Sequence, residues 1–311
     1  MNNYLIAIVG PTGVGKSRLA LKLAQSINGE IISCDSRQVY RYMDIGTAKP
    51  SPEDRKAVPH HLIDIVDPDE DLSLAQYQKL AYQAIEAIQK KNRIPLLVGG
   101  TGQYFLAVIE GWQIPEVAPD IGYRQSLEKA AAEGKAGELY IKLEQIDPAA
   151  AKKIDPHNVR RIIRALEVYR SGGVLFSQVQ RKKAPPYHTL ITGLTLERQE
   201  LYRRVDLRVD DMVRRGMVAE VKKLIAMGYG LKLPAMSSIG YRQIGEAISG
   251  RMSLEEAVQR IKYETHRYIR QQNLWFRLKD NRIHWFNIDN EIEAEIRELV
   301  QKFLHTPEEK E

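Results

Sequence analysis

Apolar positions along the chain follow two rhythms. Tyr4–Val9 is a short apolar run that stops at Gly10, and Leu19–Ile27 then places apolar residues every third or fourth position. The first pattern suits a buried strand, the second one face of a helix. Glu30–Cys34 reads as a second strand and Leu62–Val66 as a possible third. Ser73 is placed to cap a helix running to about Lys91, with Leu74, Tyr77, Ala81, Ile85 and Ile88 on its apolar face. Ile94–Val98 is another strand, closed by Gly99-Gly100. Strands alternating with helices predict a parallel sheet with helices on both faces.

That rhythm breaks at Gly111. Gln113–Pro119 holds two prolines and suits a linker. Beyond it Tyr123–Leu143 and Ala149–Tyr169 have helical spacing with no strand between them, and strand-like sequence returns at His188–Leu196, after Pro185-Pro186. Arg198–Met227 and Leu254–Leu278 read as long helices, Arg282–Ile288 as a last strand, and Thr306–Glu311 as a disordered tail. The expected organisation is an α/β core from 1–112 and 185–311, interrupted by a helical insertion over 113–184.

Composition narrows the class. With 43% apolar residues and 28% charged ones, the chain is an ordinary globular sequence. It has no apolar run long enough to cross a membrane, and its N-terminus lacks a basic start and a small-residue cleavage site, so no membrane association or secretion is expected. The single Cys34 can form neither an internal disulfide nor a cysteine-built zinc site, which points to a reducing cytoplasm; a monomer is expected. The net charge of +6 names no partner by itself, but its distribution is uneven. Residues 1–150 carry 16 basic and 19 acidic side chains, 151–183 carry 9 and 2, and 184–311 carry 21 and 19. Such a concentrated basic stretch is the footprint of a polyanion partner, or else a solvated helix face.

Gly10-Pro11-Thr12-Gly13-Val14-Gly15-Lys16-Ser17 matches G-x-x-x-x-G-K-[ST] between an apolar strand and a helix, the context this phosphate-binding loop requires. Its backbone N–H groups and the helix N-terminus would cradle phosphate oxygens. Lys16 adds a point charge, and the Ser17 hydroxyl can ligate Mg²⁺. The fold class is therefore α/β, a P-loop NTPase-like parallel sheet with a helical insertion. ATPases of this kind add a strand ending in a metal-binding Asp. Here Ile94–Val98 ends in Gly99-Gly100-Thr101, and Asp64 and Asp67 look more like a loop. A substrate with its own diphosphate fits the loop as well as a nucleotide does.

The second strand ends in Ser33-Cys34-Asp35-Ser36-Arg37-Gln38-Val39-Tyr40. In an open parallel sheet Asp35 should face the same crevice as the loop, as a general base, a metal ligand or a helix N-cap. Gln38 has a side chain able to pair with an adenine edge, or is an exposed loop amide.

These residues resemble the tRNA dimethylallyltransferases. The likeness is carried by Gly-Pro-Thr-x-x-Gly-Lys-Ser at 10–17, Asp-Ser-x-Gln-Val-Tyr at 35–40 and Asp44-Ile45-Gly46-Thr47-Ala48-Lys49-Pro50. Further matches are Pro59-His60-His61-Leu62, 97–104, Arg160–Val168 and Ser238-Ile239-Gly240-Tyr241. The resemblance implies transfer of a dimethylallyl group from dimethylallyl diphosphate to the exocyclic amine of an adenine. That adenine lies 3′ of the anticodon, in tRNAs reading codons that begin with U. The loop would then hold the donor's diphosphate, and ATP would have no role.

By the same resemblance, Lys16, the loop N–H groups, Thr12, Arg208 and Mg²⁺ on Ser17 would stabilise the departing diphosphate. Arg208 could instead form a helix-surface ion pair. Asp35 would hold or remove the proton of the attacking amine. The flipped adenine would be read by Gln38. Contacts to tRNA would fall on Asp35, Ser36, Arg37, Gln38, Thr101 and Arg124, on Arg160, Arg161, Ile162, Ile163 and Arg164, and on Ser238, Ile239, Gly240, Tyr241, Arg242 and Gln243. Thr101 could equally be a helix cap. The long C-terminal helix departs from the family pattern at His266, Gln271 and Leu274, leaving Arg270 and Gln272 as candidate tRNA contacts there. The competing readings are a small-molecule kinase, a non-catalytic RNA-binding module and prenylation of free AMP.

Overall fold

The computed structural model describes residues 3–114, 120–179, 182, 183, 185, 187–288 and 292–305. They divide into two compact units, Met1–Ile109 with Pro186–Glu311, and Glu110–Pro185.

The first unit is built on a six-stranded sheet. Its elements begin with β1 (Tyr4–Val9), α1 (Lys16–Ser26), β2 (Gly29–Cys34), α2 (Pro52–Ala57), β3 (His60–His61), α3 (Leu74–Lys90), β4 (Ile94–Gly99) and α4 (Gly102–Ile109). The strand order is β3-β2-β4-β1-β5-β6, where β5 is His188–Thr195 and β6 is Ile283–Asn287, and every pairing is parallel. Alternation along β1 assigns its two faces. Ile6 and Ile8 join a core with Leu19, Leu23 and Val205, while Leu5, Ala7 and Val9 join another with Tyr77, Ile85, Phe105 and Val108. Both faces are thus covered by helices, as a fully parallel sheet requires. Ser73 caps α3 by accepting from Gln76 N–H at 3.2 Å, and the Gln76 side chain returns to the Ser73 N–H at 2.8 Å.

The expected strand over Leu62–Val66 does not form. β3 holds only His60 and His61, and the chain then turns because Leu62 and Asp64 adopt left-handed backbone, with φ of 61° and 57°. That turn aims the Asp64 carboxylate at Lys49 (2.5 Å) and Arg55 (2.6 Å), and the main chain of 64–66 pairs with residues 38–41 after β2, where Val66 forms an isolated parallel bridge to Tyr40.

After β5 the chain forms α10 (Arg198–Arg214) and α11 (Met217–Ala226), which the sequence pattern reads as one helix. They part at Gly216, whose φ of 101° is a conformation a side-chain-bearing residue resists. A short 3₁₀ turn (Ala235–Ser237), α12 (Tyr241–Ile248), α13 (Leu254–Trp275) and α14 (Ile292–His305) complete the unit. Val39, Tyr40 and Met43 of the loop after β2 pack into a third core with Val209, Met217, Tyr241 and Ile261.

The second unit contains α5 (Ile121–Ala130), a π-helical turn (Ala131–Lys135), α6 (Ala136–Ile146), α7 (Pro148–Ala151), α8 (Val159–Gly172) and α9 (Phe176–Val179). The two helices expected here are therefore both interrupted, the first where Gly134 has φ of 86°. The second breaks between Ala151 and Asn158, whose side chain caps α8 by accepting from Arg161 N–H at 3.2 Å. Leu127, Leu139, Leu143, Ile162, Ile163 and Leu166 give the unit its own core. Its two chain ends meet, with Trp112 paired antiparallel to Lys182. The expected linker prolines Pro115 and Pro119, Pro186 and the tail at 306–311 lie outside the described residues. Among the described residues no helix is long and apolar enough to cross a membrane.

Candidate active site

The order of strands reverses around β1, which has β4 on one side and β5 on the other, and ligands of open parallel sheets gather at such a point. The loop from Gly10 to Gly15 leaves β1 there and ends at the N-terminus of α1. Lys16 Nζ donates to the carbonyls of Gly10 and Pro11, each at 2.9 Å, so its ammonium turns back along the loop. Burial is the main influence on this ammonium and pushes it down to about 8. Asp35 opposes that shift and Arg208 adds to it.

Asp35 and Arg208 belong to the same cluster. Burial lowers the Arg208 guanidinium while the Asp35 carboxylate raises it. Among the described residues Arg208 forms no ion pair, and the carboxylate that acts on it electrostatically is that of Asp35. Asp35 Oδ1 accepts from the Arg37 N–H at 2.8 Å, closing a turn rather than capping a helix. Its second oxygen is left for other partners.

The loop after β4 contributes Thr101. Its hydroxyl accepts from the Ser36 N–H at 3.1 Å, and its own N–H donates to the Cys34 carbonyl at 3.2 Å. Thr101 therefore caps the Asp35–Ser36 turn with its side chain. Tyr268, from α13, is the group that sequence reasoning missed beside it. Burial pushes its phenol up to about 12, Asp35 adds to that, and a hydrogen bond to Thr101 works against it. Gln272 lies one turn further along the same face. It is 3% exposed, its Oε1 accepts from the Thr12 N–H at 2.8 Å, and its Nε2 donates to the Gly100 carbonyl at 3.0 Å. Each end of this carboxamide thus holds a main-chain group of the core, a scaffold role that the sequence reading of Gln272 as a tRNA contact did not include. His266 is also committed, to Asp206 at 2.9 Å and stacked on Tyr202.

Several expected contact residues also make bonds within the fold. Gln38 accepts from the Ser33 hydroxyl at 2.8 Å and donates to the carbonyls of Thr47 and Ala48, each at 3.3 Å, so both ends of its amide already carry bonds within the loop. Arg37 remains at the surface, with Nη1 on the Pro234 carbonyl at 3.2 Å. Ser238, Tyr241 and Gln243 are buried: Ser238 donates to the Ala235 carbonyl, Tyr241 to Glu220 at 2.6 Å, and Gln243 accepts from the Gly240 N–H at 2.8 Å. Gln243 Nε2 has no partner. Ile239 is half-buried, and Arg242 is exposed and paired with Glu264 at 2.5 Å. Glu220, which no motif signals, takes the N–H groups of Asp44, Ile45 and Gly46 at 3.0, 2.8 and 3.2 Å.

Within the second unit, Arg160 and Arg161 are exposed on α8, while Ile162 and Ile163 point into the core and support that face from beneath. Arg124 pairs through two nitrogens with the buried Glu167, at 2.8 and 3.0 Å, and Arg164 approaches the same carboxylate at 3.8 Å.

Neither Asp64 nor Asp67 is free to hold a metal at the loop. Asp64 is held by Lys49 and Arg55, whose hydrogen bonds lower its carboxyl against the effect of burial, and Asp67 pairs with Arg41 at 3.0 Å. No cluster of three metal-ligating side chains occurs among the described residues. The donor set at the loop is the exposed Ser17 hydroxyl, which fits a cation held mainly by the oxygens of a bound diphosphate.

Comparison with known proteins agrees with this geometry. Residues 38–279 match the model of the family described as IPP transferase. A tRNA dimethylallyltransferase of Dehalococcoides mccartyi is 52% identical over 301 residues, covering 96% of this chain and 92% of the relative. The crystal structure of the full-length tRNA isopentenylpyrophosphate transferase from Bacillus halodurans superposes with a TM-score of 0.73 at 42% identity, covering 97% of both chains. A eukaryotic dimethylallyltransferase caught acting on tRNA gives a TM-score of 0.84 at 28% identity, covering all of this chain and 82% of that one. With an intact phosphate loop, a carboxylate beside it and relatives matched nearly end to end, the chain belongs to the IPP transferase family, the tRNA dimethylallyltransferases.

Proposed function

We propose that the chain transfers a dimethylallyl group from dimethylallyl diphosphate to the exocyclic amine of the adenine 3′ of the anticodon, in tRNAs reading codons that begin with U. Diphosphate is the leaving group. The observation that carries this reading is the phosphate loop with Lys16 turned back onto the Gly10 and Pro11 carbonyls, and with Asp35 and Arg208 near enough to act electrostatically on its ammonium. Two cations can hold a departing diphosphate while one carboxylate faces the acceptor.

Ionisation of an allylic diphosphate is limited by the charge that builds on the leaving group. Backbone N–H groups from Gly13 to Ser17, the Lys16 ammonium, the Arg208 guanidinium and the Thr12 hydroxyl are preorganised donors for that charge. Mg²⁺, bound through Ser17 and the donor, would supply further neutralisation there. Adenine's amine is a weak nucleophile because its lone pair is delocalised into the ring. Asp35 Oδ2 takes its proton as the carbon–nitrogen bond forms, while Oδ1 stays anchored on Arg37 N–H. The adenine must leave its stack to reach this carboxylate. Arg37 and Arg242 at the surface of the first unit, and Arg160 and Arg161 on the second, supply phosphate contacts to the tRNA. The enzyme acts in the cytoplasm as a monomer.

Unmodified tRNA or AMP, supplied with Mg²⁺ and either labelled dimethylallyl diphosphate or labelled ATP, tests the reading. Label is expected in tRNA, from the allyl donor alone. Phosphoryl transfer from ATP without alkylation would refute it, and alkylation of AMP in preference to tRNA would reassign the acceptor.

A further inference from the structure

We propose that Gln272 is a positioning residue that sets the spacing between the donor cradle and the acceptor carboxylate. The inference rests on the functional reading above and concerns how its two halves are held in register. The cradle hangs from β1, and Asp35 follows β2. These strands are not neighbours, because β4 lies between them. Some link must therefore run from the loop after β1 to the loop after β4, and from there to Asp35.

The hydrogen bonds trace that link. Thr12 N–H donates to Gln272 Oε1 at 2.8 Å, and Gln272 Nε2 donates to the Gly100 carbonyl at 3.0 Å. Thr101, the next residue, holds Ser36 N–H at 3.1 Å, and Ser36 follows Asp35 directly. A carboxamide suits the centre, since one end must accept and the other donate. The side chain is 3% exposed, so water cannot take over either bond. Thr12 N–H is also removed from the set of groups that could bind diphosphate. Gln272 thus contributes by fixing the main chain of Thr12, and with it the direction of the Thr12 hydroxyl, and touches neither substrate.

Gly100 provides an independent handle on the same contact. A Cβ there would fall on Gln272 Nε2, so Gly100→Ala displaces the amide without altering Gln272. The full chain and the variants Gln272→Leu, Gly100→Ala and the double variant are assayed with tRNA, Mg²⁺ and labelled dimethylallyl diphosphate. Inorganic diphosphate serves as the probe of the cradle. Misplacement by about 1 Å can cost about 100-fold in rate, so kcat should fall by about 10- to 100-fold in each single variant. KM for tRNA, the stoichiometry of tRNA binding and inhibition by inorganic diphosphate should stay within about threefold, which a general loss of folded protein would not allow. The double variant should be no slower than the slower single, because both break one link.

Single variants that keep kcat within about twofold of the parent, or losses that multiply in the double variant, would overturn the role of Gln272. Should Gln272→Leu lose tRNA-binding stoichiometry through misfolding, Gly100→Ala decides the matter alone. A parent protein that moves no label from the allyl donor would sink the functional reading itself, and that result appears before any variant is compared.

Discussion

Lys16 is a cation under strain from burial, and its pH behaviour follows from that. With the ammonium lowered to about 8, the free enzyme loses this charge as pH rises through that value. Bound diphosphate brings negative charge to the same point and favours the protonated form, restoring it. The ratio kcat/KM for the donor should therefore fall as pH rises through about 8, while kcat persists to higher pH. A pH profile in which both parameters fall together would show that the donor leaves Lys16 unaltered. Asp35 calls for a substitution that separates its two jobs. Asp35→Asn keeps an oxygen for the Arg37 N–H but cannot take a proton, so tRNA binding should survive while turnover drops by about 10²- to 10⁴-fold. Turnover close to that of the parent would make Asp35 a turn residue only. The phosphate loop was legible in the chain because its eight residues are contiguous and their chemistry is local. Gln38 and Gln272 were not: the carbonyl partners of Gln38 come from a loop 9 and 10 residues on, and Thr12 lies 260 residues from Gln272. An amide reads as a base contact until its backbone partners are known.

Among the elements, the predicted strands and helices of the sheet mostly formed, since alternation and 3.6-residue spacing report burial directly. The misses share one cause, a local backbone requirement stronger than periodicity. Leu62 and Asp64 turn left-handed to serve the Lys49–Asp64–Arg55 ion pairs, and Gly216 divides what looks like one helix. That division has a consequence for the loop after β2. Glu220, in the first turn of α11 after Gly216, takes three successive N–H groups of residues 44–46 and the Tyr241 hydroxyl. Burial and the Glu220 carboxylate together raise Tyr241, so its phenol stays a donor. The Asp44–Pro50 motif is thus held by one carboxylate that no motif announces. Glu220→Gln keeps the volume but offers a single acceptor oxygen, and bonds to charged acceptors are worth about 1.5–3 kcal/mol each when formed. Stability should fall by about 1–3 kcal/mol, read as a lower urea midpoint with unchanged slope. An unchanged midpoint would mean that the loop is held by its apolar packing on Tyr241 and Met217 instead.

At the scale of the whole molecule, charge is distributed by task. The +6 net charge comes chiefly from residues 151–183, yet only part of that stretch is available to a polyanion. Arg164 leans on Glu167, a carboxylate 1% exposed that also binds Arg124, so these two arginines keep a buried charge satisfied. Arg160 and Arg161 have no such duty and face solvent. The two kinds of arginine should therefore separate in experiment. Each phosphate contact releases counterions, so Arg160→Ala and Arg161→Ala should each weaken tRNA binding and lower the slope of log K against log salt by about 1. Neither should alter the urea midpoint. Arg124→Ala should do the reverse: the salt slope holds, while stability falls by about 2 kcal/mol because Glu167 loses its two-nitrogen partner. The loss stays below that of a fully buried pair because Arg124 is itself 37% exposed. Salt titrations of tRNA binding beside urea titrations of the same proteins check both halves. A reduced salt slope in Arg124→Ala at unchanged stability would move Arg124 into the binding face, and an unchanged slope in Arg160→Ala and Arg161→Ala would remove α8 from it.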